Sequence, residues 1–288
     1  MNYDHRYHAG NPADVVKHAA LSLVLEELVR KDGPLAYFDT HAGAGVYRLD
    51  QDAGEWKQGV GKLLSRSARR RLPELSRYLD LVREGDAGIE YPGSPSIASA
   101  LLRPSDRLIL FEAHKKTAEA LREALAPRPS SRVSITVDDG YAGLLKLKLR
   151  EERLIALIDP PFEKDDEWDR LEDALLGMAR RSQGATLMLW YPLKAGPPHE
   201  GRPEALRQRL ERAKTRGMAV ELRPRGGLLK LKTDNPRVRP GLRGTGLVLI
   251  EAPGRAIARW FSAMPELARS LGRPEDDLAY ELTVQGWG

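Results

Sequence analysis

Apolar residues open the chain at helical spacing and then give way to short unbroken runs. Val16, Ala20, Leu23, Val24 and Leu28 mark one face of a helix. Asn11 and Pro12 suit its N-cap and first position, and Gly33-Pro34 stops it. Leu35-Ala36-Tyr37-Phe38-Asp39 follows as a buried strand, and runs of the same kind occupy residues 107–112, 134–137, 153–158, 185–190, 218–222 and 246–250. Such runs read as strands covered on both faces, with helical stretches between them. The expected fold class is α/β, an open seven-stranded, mostly parallel sheet.

From residue 46 to 90 that rhythm lapses. Leu63, Leu64, Leu72, Leu75, Leu79 and Leu81 are spaced for helices, Arg66, Arg69, Arg70 and Arg71 cluster, and no strand-like run occurs. A small helical insertion, residues 46–90, is expected within a domain made of 1–45 and 91–288. A lobe with ordinary solvated arginines fits the pattern equally well.

Four successive strands end on acids: Asp39, Glu112, Asp139 and Asp159. In an open α/β sheet the carboxyl ends of the strands face the ligand crevice. Some of these acids also suit the N-caps of the helices that follow. The last is the most distinctive, because Asp159-Pro160-Pro161-Phe162 ends the run with an acid, two prolines and an aromatic ring. An acceptor carboxylate, a carbonyl held by proline geometry and a stacking face together suit a planar base with an exocyclic amine. The same turn also ends ordinary strands.

The first strand leads into His41-Ala42-Gly43-Ala44-Gly45. Glycines there let backbone approach a ligand closely. A dinucleotide fingerprint requires a third glycine where Arg48 stands, and no Gly-Lys-Ser/Thr of a phosphate loop follows. A ligand smaller than a dinucleotide, without a pyrophosphate, is expected.

Composition narrows the chemistry further. With no cysteine among 288 residues, disulfides, zinc–thiolate sites, iron–sulfur clusters and thiol nucleophiles are excluded. No apolar run approaches the roughly 20 residues that span a bilayer. The start Met1-Asn2-Tyr3-Asp4-His5-Arg6 lacks a leader's apolar stretch, so a cytoplasmic protein is expected. The net charge of +5 is compatible with a polyanionic partner. Its densest part lies between the last two expected strands, where Arg223, Arg225, Lys230, Lys232, Arg237, Arg239 and Arg243 are opposed only by Asp234. Such a stretch reads as a loop that holds phosphates or as solubilising charge on an edge hairpin. His5, His8, Asp14, His18 and His41 offer an alternative reading as metal ligands, Asp14 and His18 being one helical turn apart; without thiols or a clear third ligand no metal is expected.

Three stretches carry a resemblance: residues 8–18, His-Ala-Gly-Asn-Pro-Ala-Asp-Val-Val-Lys-His; residues 39–45, Asp-Thr-His-Ala-Gly-Ala-Gly; and Asp159-Pro160-Pro161-Phe162. Together with Tyr91-Pro92-Gly93-Ser94-Pro95 and Trp190-Tyr191-Pro192 they resemble the RlmJ family, in order from Tyr3 to about Ile250. The family is one of bacterial methyltransferases that modify the exocyclic N6 amine of one adenine in 23S ribosomal RNA. The resemblance implies a Rossmann-like methyltransferase with a small helical insertion, and S-adenosyl-L-methionine as cofactor. By motif it implies a cofactor pocket lined by His18, His41, Gly43, Ser94, Glu112, Asp139, Gly140 and Asp159. It further implies Asp159, Pro160 and Phe162 as the catalytic turn, and Tyr3, Lys17 and Phe162 as contacts to the substrate RNA. Phe162 stands where the family often has tyrosine. The expected partner is 23S ribosomal RNA, protein-free or in an early precursor, acted on by a monomer with no membrane attachment. A DNA adenine-N6 methyltransferase would use the same turn, but the chain offers no second domain large enough to read a duplex. A non-catalytic RNA-binding protein on the same fold would not need the intact Asp159 turn.

Overall fold

Asn11 turns the chain into its central helix. Its side chain accepts from the Asp14 N–H at 2.9 Å, Pro12 occupies the first helical position, and α2 runs from Pro12 to Leu28 after a short α1, His5–His8. The computed structural model describes residues 5–49, 54–83, 90–126, 132–148, 153–182, 184–224, 242–272 and 280–288. Nearly every residue of α2 is buried, because the helix lies between the sheet and a second layer of chain.

The strands are β1 (Leu35–Asp39), β2 (Val46–Arg48), β3 (Glu90–Pro92), β4 (Arg107–Phe111), β5 (Val133–Thr136), β6 (Arg153–Ile158), β7 (Thr186–Lys194), β8 (Gly217–Pro224), β9 (Leu242–Ile250) and β10 (Tyr280–Trp287). Eight form one sheet in the order β10-β8-β9-β7-β6-β1-β4-β5. The pairings among β5, β4, β1, β6 and β7 are parallel, whereas β7–β9, β9–β8 and β8–β10 are antiparallel. The sheet is therefore mostly parallel and Rossmann-like, with eight strands rather than the expected seven. β10 escapes the sequence pattern because it is an edge strand with mostly exposed or partly exposed positions, and only Trp287 is buried.

Strand alternation sorts the apolar side chains onto two faces. Leu35 and Tyr37 of β1, Leu108 and Leu110 of β4, and Ile155 and Leu157 of β6 join one apolar layer. Ala36, Phe38, Ile109, Leu154, Ala156 and Ile158 join the other. The first layer is closed by α2, by α5 (Ser94–Leu101), by α10 (Gly254–Leu271) and by Val60, Leu63, Leu72, Leu75 and Tyr78. The second is closed by α7 (Gly140–Lys146), α8 (Glu167–Arg181) and α9 (Arg202–Arg212). The remaining helix of the parallel half, α6 (Lys115–Ala124), links β4 to β5.

Residues 54–83 hold short 3₁₀ turns together with α3 (Arg66–Arg71) and α4 (Ser76–Arg83). At their margins β2 and β3 pair antiparallel, Tyr47 opposite Tyr91, although no strand was expected there. Three-residue strands are too short to show a period in sequence. Arg259 of α10 ties this segment to α2, donating to Glu26, Glu27 and Glu74.

Candidate active site

β1 pairs with β4 on one side and β6 on the other. The strand order reverses there, so the crevice lies over the carboxyl ends of β1 and β6. The four strand-end acids follow the strand order β6-β1-β4-β5, giving Asp159, Asp39, Glu112 and Asp139 across the sheet. They do not share one chemistry.

Asp159 is reached from α2. The Asp14 carboxylate accepts from the Gly10 N–H at 3.0 Å and pairs with Lys17 at 2.8 Å, one turn along the helix. Lys17 then places its Nζ 2.5 Å from Asp159 Oδ2. The ammonium is almost fully buried, which disfavours its charge, yet Asp14 and Asp159 outweigh that cost and raise its pKa. The same N-terminal motif is fastened to residues 54–83, because His8 Nδ1 and Asn11 Nδ2 both lie 2.9 Å from Glu55 Oε2. Lys17, expected as an RNA contact, is thus an internal cation aimed at the Asp-Pro-Pro turn.

Asp39 is wholly buried. It accepts from the Tyr37 hydroxyl at 2.6 Å, the Ser94 hydroxyl at 2.8 Å and the His41 N–H at 3.1 Å. Burial raises its carboxyl to about 6. Ser94 therefore buttresses the β1 end. His18 is also interior, with Nδ1 2.7 Å from the Tyr91 hydroxyl and its ring stacked on Tyr91, which in turn meets the Tyr78 hydroxyl.

The glycine loop and β5 supply the other side. Gly43 donates to Glu112 Oε2 at 3.0 Å from a backbone with φ of 65°, which disfavours side chains, and the His114 N–H meets Glu112 Oε1 at 2.8 Å. Asp139 caps α7 by accepting from Ala142 and pairs with Arg170 of α8; these partners hold its carboxyl below the usual range against a burial effect that raises it. Gly140 lets α7 begin against β1, since a Cβ there would stand 2.0 Å from the Thr40 carbonyl oxygen. His41 contacts the Thr40 hydroxyl and meets the Tyr141 ring edge-on, and burial lowers its pKa to about 4, leaving it neutral at neutral pH.

Phe162 differs from expectation. It sits in the left-handed region at φ 52°, is 5% exposed, and packs 5.0 Å from Trp168 and 6.1 Å from His199. Its ring fills an aromatic cluster, so the open stacking face expected of it is covered. Tyr3 and residues 225–241, most of the basic stretch, lie outside the described residues.

No sequence pattern marks Arg170, Tyr141 or Trp190 as a site residue. Arg170 lies in an amphipathic helix without a motif, and its guanidinium stands 4.8 Å over the Tyr141 ring. Tyr91 and Trp190 stood within motif stretches, but nothing in one dimension shows what they face. The donor set suits a cationic, hydroxyl-bearing cofactor: carboxylates at the ends of β4 and β5, a neutral imidazole and a glycine loop. Among the described residues no group of three or more His, Asp or Glu is arranged to hold a metal ion.

Comparison with known proteins finds relatives along nearly the whole chain. Residues 32–282 match the family described as "RsmJ: Ribosomal RNA large subunit methyltransferase D, RlmJ". Ribosomal RNA large subunit methyltransferase J of Haemophilus influenzae is 32% identical over 286 residues, covering 94% of each chain. The protein of the same name from Escherichia coli is 32% identical over 285 residues, again covering 94% of each. Protein LPL1258 from Legionella pneumophila has a crystal structure that superposes with a TM-score of 0.81 at 26% identity, covering 98% of this chain and 99% of that one. The chain belongs to the RlmJ family of ribosomal RNA large subunit methyltransferases.

Proposed function

We propose that the crevice over β1 and β6 is where a methyl group passes to the N6 amine of one adenine in 23S ribosomal RNA, with Asp159 and the Pro160 carbonyl as the amine's acceptors. The enzyme is an S-adenosylmethionine-dependent ribosomal RNA methyltransferase. The observation that carries the residue assignment is the buried ion pair of Lys17 with Asp159 at the strand end.

When bound, S-adenosylmethionine supplies an electrophilic methyl group on a sulfonium. Glu112 and Asp139 would accept from its ribose hydroxyls and adenine amine, with His41, Gly43 and Gly140 beside them. His18 and Ser94 support the pocket from behind, through Tyr91 and Asp39. The target amine is a poor nucleophile because its lone pair is delocalised into the ring. Hydrogen bonds from that amine to Asp159 and the Pro160 carbonyl favour a pyramidal nitrogen whose lone pair can aim outward. Because Lys17 already occupies Asp159 Oδ2, the carboxylate is held in place as positive charge develops on nitrogen, which is electrostatic preorganisation. The proton released from the methylated nitrogen leaves to Asp159 or to water.

The test is Asp159→Ala. Calorimetry should show S-adenosylmethionine bound within a few-fold of wild type, while methyl transfer to a 23S RNA fragment falls by about 100-fold or more. Near-normal transfer would overturn the assignment. Residues 46–90 act as an insertion subdomain closed by the β2–β3 ladder. A monomer works in the cytoplasm on protein-free or early-precursor RNA, where the target base leaves its stack cheaply; faster methylation of an assembled subunit than of naked RNA would contradict the last point. No helix among the described residues is long and apolar enough to cross a membrane.

A further inference from the structure

We propose that Arg170 of α8 is a positioning residue for the cofactor, holding the Asp139 carboxylate in the orientation that receives the adenine amine. The inference rests on the reading of Asp139 as that amine's acceptor and names the side chain that sets its geometry. The Asp139 side chain stays 39% exposed, so a ligand can reach it. Its Oδ1 accepts from the Ala142 N–H at 3.0 Å, and its Oδ2 accepts from Arg170 Nη2. A carboxylate offers about four acceptor sites, so a partner on each oxygen fixes its plane without filling it.

Arg170 is itself held in place. Glu167 and Arg170 lie three residues apart on α8 and so share one face of the helix. Glu167 accepts from the Tyr141 hydroxyl at 2.8 Å, and the Arg170 guanidinium stands 4.8 Å from the centroid of the Tyr141 ring. The same ring meets His41 edge-on, with 5.0 Å between centroids. A planar cation over a clamped ring has few other directions for its fork of donors. Asp139 and Tyr141 flank Gly140, whose close approach to Thr40 fixes the start of α7. Ring and carboxylate therefore give Arg170 two fixed partners, and the guanidinium joins α8 to the cofactor side of the crevice. Without Arg170, a neutral amine must cover a carboxylate that has lost its paired cation and is free to turn.

Calorimetry of S-adenosylhomocysteine binding tests this with Arg170→Met, Arg170→Lys and Asp139→Asn, alone and combined. Methionine keeps length and apolar cover over Tyr141 but removes the charge and the donors. Asparagine remains a good N-cap, so α7 keeps its start. Arg170→Met should weaken binding by roughly 5- to 30-fold, between the worth of a neutral hydrogen bond and one to a charged group. Arg170→Lys should recover part of that loss. In the Asp139→Asn background, Arg170→Met should add less than about 2-fold, because the two residues act as one unit. Unchanged affinity in Arg170→Met would overturn the proposal. So would an equal loss in both backgrounds, which would mark Arg170 as packing on Tyr141 or touching the ligand directly. Should Arg170→Met fail to fold, Arg170→Gln in both backgrounds decides in its place. Wild-type affinity in Asp139→Asn would instead remove the underlying reading.

Discussion

Lys17 and Asp159 stand 142 residues apart in the chain, yet their charged atoms meet at 2.5 Å. The lysine is on the long N-terminal helix and the aspartate ends the sixth strand. Asp14 holds the lysine from its other side, so one ammonium bridges two carboxylates where little water reaches.

Lys17→Met should therefore do more than remove a positive charge. It leaves two mostly buried carboxylates without their partner, a loss of about 3–5 kcal/mol for one broken buried pair. Chemical denaturation should show that drop, and methyl transfer should fall with it. Unchanged stability would mean that water already screens the pair.

Gly140→Ala tests the close approach of α7 to β1. The added Cβ would meet the Thr40 carbonyl, which is backbone and has little room to move. A destabilisation of about 1–3 kcal/mol is expected from overpacking. Weaker cofactor binding should accompany it, because Thr40, His41 and Asp139 all shift. Thermal melts with and without S-adenosylmethionine check both effects.

Asp39 gives a pH signature. Its carboxyl lies at about 6 in the folded protein against an ordinary value of 3.8. Between those values the folded protein holds a proton that the unfolded chain has released. Its contribution to stability therefore falls as pH rises from about 4 to about 6 and is level above that. Asp39→Asn should remove this component from the pH profile of the melting temperature. An unchanged profile would place the titration elsewhere.

His41 and His199 work in the opposite direction. Burial lowers both to about 4 from 6.5. As pH falls below about 6.5 the unfolded chain takes up protons first, so stability is lost progressively down to about 4. His41→Gln should flatten that acid limb in urea melts compared at pH 7 and pH 5. A limb of full size in the variant would contradict the assignment.

Much of the fold was legible because strand burial leaves a direct record. β1 and β6 are unbroken apolar runs, and Asn11-Pro12 is a local helix start whose hydrogen bond involves residues only three apart. β10 and the β2–β3 ladder were not legible. The first is mostly uncovered along its length, and the second is three residues a side. Among site residues, the Asp159 turn and the acids at Glu112 and Asp139 stood out as breaks at strand ends. Arg170 and Trp190 did not, because what marks them is a partner distant in sequence.

From its sequence alone this chain determined its α/β class, its family, and a crevice edged by acids. Periodicity, glycine and proline geometry, and a rare string of motif residues are all local properties. Only the tertiary structure decided which of those residues face the crevice. It enclosed Asp39, His18 and Phe162 and turned Lys17 onto Asp159. It also put Trp190 beside the carboxylate through the pairing of β6 with β7. The physical reason is that burial and charge pairing depend on distances in space, and strand order and register set those distances between residues far apart along the chain.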